Sequence, residues 1–239
     1  MMNEHDEFYI GYEAAMPPRA RSAVTAAVVL AVALAVVAAL IFVSQQHRLA
    51  EARFEFGQVR TFEGYLVRTP APVLLVVDGN GTRSLWLVSQ GKFGPSAALG
   101  DTPPGWVTLS GSLIEREQWR MIEIASGSVR PVASSAPPPL RGISPARRVS
   151  LRGEIVDSKC FLGVMNPGER TVHRDCAVRC LAGGVPPMFA FHDDAGSHLA
   201  LLLDAAAAIR THGAGRTITL EGILSGPEES LVLVVGSPR

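Results

Sequence analysis

Residues 151–187 read LRGEIVDSKCFLGVMNPGERTVHRDCAVRCLAGGVPP, and they contain all three cysteines of the 239-residue chain. The first six of these residues have the composition of a β-strand with a central glycine. The remainder, Cys160–Pro187, adds a histidine, a Met-Asn-Pro-Gly turn and a Gly-Gly-Val-Pro-Pro exit. No other stretch of the chain concentrates as many side chains able to do chemistry.

The strand-like start of this stretch has a counterpart earlier in the chain. Leu151–Val156 (LRGEIV) matches Phe62–Val67 (FEGYLV), and Ile218–Leu224 (ITLEGIL) matches Val107–Leu113 (VTLSGSL). Each segment has a glycine at its centre, which suits a bulge or a sharp bend in a small barrel. The matches predict the same β-fold in both halves and indicate a tandem duplication.

Other short apolar runs complete the first of these two halves. Val73–Val77 and Ser84–Val88 flank an Asp-Gly-Asn-Gly turn and predict a hairpin. Trp106–Leu113 and Gln118–Ile124 predict a second hairpin. About five short strands without a long helix are typical of a small antiparallel barrel or sandwich.

The second half is longer than the first, and the excess falls in one place. Gly64 and Gly111 are 47 positions apart, whereas the matching Gly153 and Gly222 are 69 apart, a difference of 22. The stretch Cys160–Pro187 lies inside this interval and has no counterpart in the first half. We therefore interpret it as a functional insertion in a duplicated scaffold.

Both halves resemble OB-fold-like barrels of small exported bacterial proteins whose role is unassigned. The second half resembles a membrane-anchored group that carries the motifs Val-Asp-x-Lys-Cys, His-x-x-Cys-Ala-x-x-Cys and Gly-Gly-x-Pro-Pro. Here these motifs are Val156–Cys160, His173–Cys180 and Gly183–Pro187. The resemblance covers residues 149–238 and implies an OB-like barrel in an exported location.

A long apolar segment near the N-terminus predicts a membrane anchor. Ala23–Val43 contains 21 residues with Thr25 as the single polar one. A helix of this length rises about 31 Å, which matches the hydrocarbon core of a bilayer. It is longer than the apolar region of a cleaved signal peptide, and the leader before it is acidic. We predict a signal anchor that stays in the membrane.

The numbers of arginines on the two sides of this helix do not determine its orientation in the membrane. Arg19 and Arg21 precede it, and Arg48, Arg53 and Arg60 follow it. Long domains are translocated largely regardless of charge, and a short leader usually stays inside. We predict a single-pass protein of the inner membrane with a cytoplasmic N-terminus and periplasmic C-terminal domains.

The fold class predicted from these segments is mainly β: a transmembrane helix followed by two tandem OB-like barrels, the second with a short helical Cys/His insertion. Three consecutive prolines and few apolar residues mark a linker between the barrels. The predicted plan is a cytoplasmic tail (1–22), a transmembrane helix (23–43), a juxtamembrane stalk (44–59), barrel 1 (60–131), a linker (132–148) and barrel 2 (149–238) with its insertion (160–187).

Turn signals on both sides predict a helix over Gly168–Ala182. His173, Cys176 and Cys180 then occur at i, i+3 and i+7 and occupy an arc of about 60° on one face. Cys160 ends the preceding strand, and the turn allows the chain to bring it to that face. These four residues are the candidate site.

A disulfide is the first chemistry that fits, since it is the ordinary fate of cysteines outside the cytoplasm. A bridge between Cys176 and Cys180 within a regular helix has poor geometry. Cys160 paired with one of them is the better candidate, and it leaves one free thiol.

A metal site is the second chemistry that fits. The three cysteines with His173 form a complete tetrahedral shell for Zn²⁺. Cu(I) is the alternative for softer ligands, with Met165 nearby as a further donor. Asp157 is a second-tier candidate, either as a ligand or as a polar partner at the end of the strand.

Thiol redox chemistry is the third candidate. Lys159, Arg174 and Arg179 neighbour the cysteines in sequence, and such cations lower a thiol pKa. However, the chain has no Cys-x-x-Cys and no thioredoxin-like pattern around the motif.

Composition and motifs limit the remaining functions. Lys+Arg and Asp+Glu are balanced at 22 each, which disfavours nucleic-acid binding. No Ser-His-Asp set, P-loop or dinucleotide fingerprint is visible, so the interpretation leans away from an enzyme. The favoured function is a structural or interaction module accessory to a membrane complex, with a membrane-protein partner. The alternative is a redox or metal-handling accessory for Zn or Cu.

Overall fold

The computed structural model describes residues 16–45, 51–79, 81–133, 136–139 and 143–236. These residues fall into two compact units, Met1–Arg48 and Leu49–Arg239. The first unit contains one helix, and the second contains all of the strands.

Helix α1, Pro18–Gln45, is the predicted apolar helix extended at both ends. Its 28 residues span about 42 Å, more than the hydrocarbon core of a bilayer. None of its residues is buried, and its most apolar window has a mean hydropathy of 3.1. Length and composition therefore allow this helix to cross a membrane.

Barrel 1 is a closed five-stranded barrel. Its elements are β1 (Ala52–Phe54), β2 (Arg60–Val67), β3 (Val73–Asp78), β4 (Gly81–Ser89), α2 (Ser96–Leu99), β5 (Gly105–Arg116), β6 (Trp119–Ile124) and β7 (Arg130–Pro131). Strands pair in the order β2-β3-β4-β6-β5, and β5 returns to β2. The β4–β6 pair is parallel and the other pairs are antiparallel. Both predicted hairpins are present.

Barrel 2 repeats this pairing order. Its elements are β8 (Ile143–Asp157), a π-helical turn (Cys160–Val164), α3 (Arg170–Ala182), β9 (Pro187–Asp193), β10 (Gly196–Leu203), α4 (Ala206–His212), β11 (Thr217–Pro227), a 3₁₀ turn (Glu228–Ser230) and β12 (Leu231–Val235). The closed order is β8-β9-β10-β12-β11, with β10 and β12 parallel. The prediction of two tandem OB-like barrels is confirmed.

The insertion lies in the connection between the first two strands of barrel 2. In barrel 1 the same connection is only residues 68–72, between β2 and β3. In barrel 2 it contains the π-helical turn and α3. The cysteines are therefore placed at one end of an otherwise ordinary barrel.

The two barrels pack against each other through a shared apolar cluster. In β4, Leu85 and Leu87 fill barrel 1, whereas Trp86 and Val88 face the shared cluster. Strand β10 behaves in the same way, because Leu202 fills barrel 2 and its neighbours face the cluster. Successive side chains of a strand point to opposite faces, so a strand between two cores is apolar on both.

Two predicted connecting segments are shorter in the structure than in the sequence interpretation. Strand β1 pairs with β5, and Glu55 after it is buried, so this part of the predicted stalk (44–59) belongs to barrel 1. Strand β8 begins at Ile143, inside the predicted linker (132–148). Both segments are predicted as connections because they are charged or contain proline and lack an apolar run. Their backbones nevertheless pair with neighbouring strands.

The four strand glycines that revealed the repeat are required for close approach rather than for bulges. A Cβ on Gly153 would overlap the carbonyl oxygen of Ala190, and one on Gly64 would lie 2.5 Å from that of Leu75. Gly111 and Gly222 face neighbouring carbonyls in the same way. The register shift in β11 occurs beyond Leu224 instead. The expectation of bulges at these glycines is therefore wrong.

Gly153→Ala tests this explanation of the repeat. The new methyl group meets a strand carbonyl and the Phe189 ring, so we expect a loss of roughly 2 kcal/mol in the free energy of unfolding. Ser150→Ala, at an exposed position of the same strand, is the control. Denaturant unfolding of the full-length protein in detergent gives both values, and equal stability of the two variants would refute the explanation.

Candidate metal centre

Two different elements supply the three cysteines, whose side chains lie close together: the turn carries Cys160, and helix α3 carries Cys176 and Cys180. Strand β8 ends at Asp157, and the π-helical turn that begins at Cys160 follows after two residues. Helix α3 begins within two residues of its predicted start and buries His173, Ala177 and Cys180 at i, i+4 and i+7. This spacing turns one stripe of the helix toward the barrels, and Cys176 lies at its edge.

The three cysteine side chains form a compact cluster, here called the thiol site. The Cys160 sulfur lies 3.9 Å from the sulfur of Cys176 and 3.9 Å from that of Cys180. All three sulfurs lie within 4.8 Å of one another. Cys160 and Cys180 are buried and Cys176 is half-buried.

The predicted disulfide is absent, because all three cysteines are free thiols. A disulfide requires a sulfur–sulfur distance of about 2.05 Å, well below the separations found here. The three sulfurs are instead arranged around a common centre, with Cys160 equally distant from the other two.

His173, the predicted fourth ligand, is bonded to Asp157. The His173 Nε2 atom lies 2.9 Å from Asp157 Oδ2, and Asp157 Oδ1 accepts a hydrogen bond of 2.9 Å from the backbone N–H of Cys160. Both side chains are buried. The predicted residues are thus brought together as two overlapping groups, with Cys160 common to both.

Met165 and Lys159 do not have the predicted positions at the sulfurs. The Met165 side chain is 47% exposed, and its backbone N–H closes the turn on the Cys160 carbonyl at 3.3 Å. The Lys159 ammonium is directed into barrel 1. Neighbours in sequence therefore support the turn that carries Cys160.

The cation at the thiol site is Lys92 of barrel 1, which sequence reasoning missed. Its Nζ atom lies 2.8 Å from the Cys176 sulfur and 3.8 Å from the Cys180 sulfur. It is 84 positions from Cys176, so no local motif connects the two. One signal was available: the chain has two lysines, Lys92 and Lys159, against twenty arginines.

Contacts among the thiols separate their pKa values. A hydrogen bond from the Cys160 thiol lowers the pKa of Cys180 to about 7, with help from Lys92 and against the effect of burial. The same bond, together with burial and the Asp157 carboxylate, raises the pKa of Cys160. The bond to Cys176 raises the pKa of Lys92, which keeps its ammonium charged. The Cys160 sulfur therefore keeps its proton, whereas the Cys180 sulfur loses its proton more easily, beside the ammonium of Lys92.

Lys159 fixes the start of the cysteine turn to barrel 1. Its ammonium donates to the Ser89 carbonyl at 3.0 Å, the Gly91 carbonyl at 2.6 Å and Glu123 Oε1 at 2.7 Å. The side chain is only 4% exposed. These three acceptors use all three N–H groups of a lysine, as burial of a charge requires.

Arg116 holds the other side of the same turn. Its Nη1 atom donates to the Phe161 carbonyl at 2.9 Å, and its guanidinium lies 4.0 Å from the centre of the Phe161 ring. Glu169 lies 3.6 Å from Nη2. Cys160 is therefore placed between two residues that barrel 1 holds in position.

The arrangement provides three soft donors at a spacing that suits a metal ion. Zn–S bonds of about 2.3 Å place tetrahedral sulfurs about 3.8 Å apart, close to the 3.9 Å separations from Cys160. Thiolates also bind Cu(I). The thiol site, and the overlapping group of Asp157, Cys160 and His173, could each hold a metal ion.

Comparison with protein-family models, curated proteins and solved structures found no match to this chain. The fold and the chemistry of the site are therefore the basis for its function.

Lys159→Met tests the attachment of the turn to barrel 1. The variant leaves the half-buried Glu123 carboxylate and the Ser89 and Gly91 carbonyls without their donor, so we expect a loss of about 3 kcal/mol or more in the free energy of unfolding. Arg120→Met removes the half-exposed Arg120–Glu115 pair and is the control, with an expected loss of about 1 kcal/mol or less. Denaturant unfolding of the full-length protein measures both, and similar losses would contradict the assignment.

The pKa of Cys180 gives a test in the metal-free, reduced protein. As the pH rises, one thiolate should appear with a midpoint near 7 instead of the ordinary 9.0. Cys180→Ser should abolish this step, and Cys160→Ala should move it toward 9.0 because the donor is lost. Ultraviolet absorbance of the thiolate follows the titration. A protein that forms no thiolate until about pH 9 would exclude this electrostatic account.

Proposed function

We propose that this chain is a membrane-anchored accessory protein that binds a soft metal ion, Zn²⁺ or Cu(I), at the thiol site. The observation that carries the proposal is the convergence of Cys160, Cys176 and Cys180 on one point from a turn and a helix. Thiolate donors select these metals over hard cations such as Mg²⁺ or Ca²⁺.

The number of sulfurs favours metal binding over disulfide exchange. A redox couple needs two cysteines, and it would leave the third sulfur of this cluster without a role. A metal ion uses all three. Three thiolates around Zn²⁺ carry one net negative charge, which the ammonium of Lys92 balances at 2.8 Å from Cys176. The same ammonium leaves one net negative charge with Cu(I).

Asp157 and His173 support the same proposal as outer partners of the metal site. The Asp157 carboxylate accepts from the Cys160 backbone and holds the His173 ring, so it fixes the turn on which Cys160 depends. Outer partners of this kind orient ligands, and their loss lowers metal affinity about 10–100-fold.

The proposed location is the inner membrane, with α1 as the anchor and both barrels in the periplasm. The size of the domain after α1 supports this orientation, since long domains are translocated largely regardless of charge. Thiols in an oxidising compartment tend to form disulfides. A bound metal would hold the three sulfurs apart and protect them, which makes reduced cysteines compatible with that compartment.

The position of the site at the junction of the barrels agrees with an accessory role beside a membrane partner. The insertion of barrel 2 contacts barrel 1 beside the apolar cluster that the two barrels share, so a metal at Cys160 would also stabilise their junction. The structural role and the metal-binding role therefore belong to one proposal, in which a metal-stabilised pair of barrels is presented at the membrane surface.

Metal titration of the reduced full-length protein in detergent tests the proposal. We expect one Zn²⁺ or one Cu(I) per chain, measured by competition with a chromophoric chelator. Ser in place of Cys160, Cys176 or Cys180 should weaken binding at least about 100-fold, and His173→Ala about 10–100-fold. Met165→Leu is the control and should bind as the wild type does. Binding that survives each of the three Ser substitutions, or no binding, would reject the site.

A further inference from the structure

The thiol site is accessible to solvent at Cys176. Cys160 and Cys180 are 4% and 1% exposed, whereas Cys176 is half-buried, so solvent reaches the cluster on the side of Cys176. Lys92 lies on this side, with its ammonium 2.8 Å from the Cys176 sulfur and its stem exposed. A ligand that approaches the sulfurs from solvent meets this ammonium first.

We propose that Lys92 is the gate of the thiol site and controls how fast a metal ion leaves it. The inference rests on the proposed metal-binding function. It adds a group from barrel 1 that controls the rate of metal release. Metal transfer requires an incoming ligand to approach the metal while a cysteine sulfur departs. An ammonium bonded to the most accessible sulfur hinders both events, because it covers the approach and stabilises the charge on that sulfur.

The position of Lys92 is set by the contact between the barrels. It belongs to the loop of residues 90–95 after β4, which Ser89 holds through its hydroxyl bond to the Gly94 carbonyl at 2.7 Å. The Gly94 N–H donates to the Gly183 carbonyl at the end of α3 at 2.9 Å. The loop and the helix that carries Cys176 are therefore fixed to each other.

The paired glycines after α3 permit this contact. A Cβ on Gly183 would overlap the carbonyl oxygen of Lys92 itself, and one on Gly94 would overlap the carbonyl oxygen of Gly184. A side chain at Gly183 must push the loop away from α3. Gly183→Ala thus displaces the Lys92 ammonium without changing Lys92, which gives a second and independent way to open the gate.

The shape of the lysine side chain also suits a group that covers the site and moves aside. A lysine presents a compact ammonium on a flexible stem, so it can swing away from Cys176 and return. The buried Lys159 differs, because its ammonium is fixed by three acceptors. The two lysines of the chain thus have separate functions, one as a fixed anchor and one as a movable cover.

The experiment measures the rate at which Zn²⁺ passes from the loaded full-length protein to an excess of a chromophoric chelator. We expect Lys92→Met to raise this rate about tenfold or more, the size expected for the loss of one charge-assisted hydrogen bond. Lys92→Arg, which keeps the charge, should stay within about twofold to threefold of the wild type. Gly183→Ala should accelerate transfer as Lys92→Met does.

Stoichiometry and stability separate the possible outcomes. One Zn²⁺ per chain and an unchanged unfolding midpoint in Lys92→Met, with faster transfer, support the gate. Equal transfer rates in the wild type and in Lys92→Met, with both proteins loaded, overturn the gate and leave the metal site standing. A wild-type protein that binds no Zn²⁺ and no Cu(I) rejects the proposed function itself.

Discussion

The buried ammonium of Lys159 is the interaction on which the rest of the site depends. A charge in an apolar interface is stable only when each of its donors is satisfied, and barrel 1 supplies the three acceptors, Ser89, Gly91 and Glu123. The next residue is Cys160, and the one after it, Phe161, is held by Arg116. The position of the first sulfur is therefore determined by barrel 1, although the cysteine belongs to barrel 2.

This arrangement explains why the chain has two barrels. One OB-like barrel with the insertion would supply three sulfurs, but it would lack both the anchor of the turn and the cation beside Cys176. Barrel 1 provides these groups, and the apolar cluster shared by β4 and β10 holds it against barrel 2. Two barrels of the same topology thus allow one barrel to support the chemistry of the other, and a metal at the junction would stabilise both.

The sequence predicts the barrels well because their signals are local. Strand alternation, hairpin turns and the repeated glycines are each readable within about ten residues, and the helix over residues 168–182 follows from its caps. Lys92 and Lys159 could not be assigned because their partners are distant in sequence, 84 positions for Lys92 and 36 to 70 for Lys159. A strand with one buried face alternates apolar and polar residues, whereas a strand buried on both faces is apolar throughout. The unbroken apolar runs of β4 and β10 therefore indicate that both faces of these strands are covered, as they are at the junction.

X-ray absorption spectroscopy of the metal-loaded protein tests the central claim most directly, because it counts the atoms bound to the metal. The account predicts three sulfur neighbours at about 2.3 Å for Zn²⁺, and the loss of one of them in Cys176→Ser. A first shell of nitrogen and oxygen alone, or one unchanged in that variant, would contradict a metal centre built on Cys160, Cys176 and Cys180.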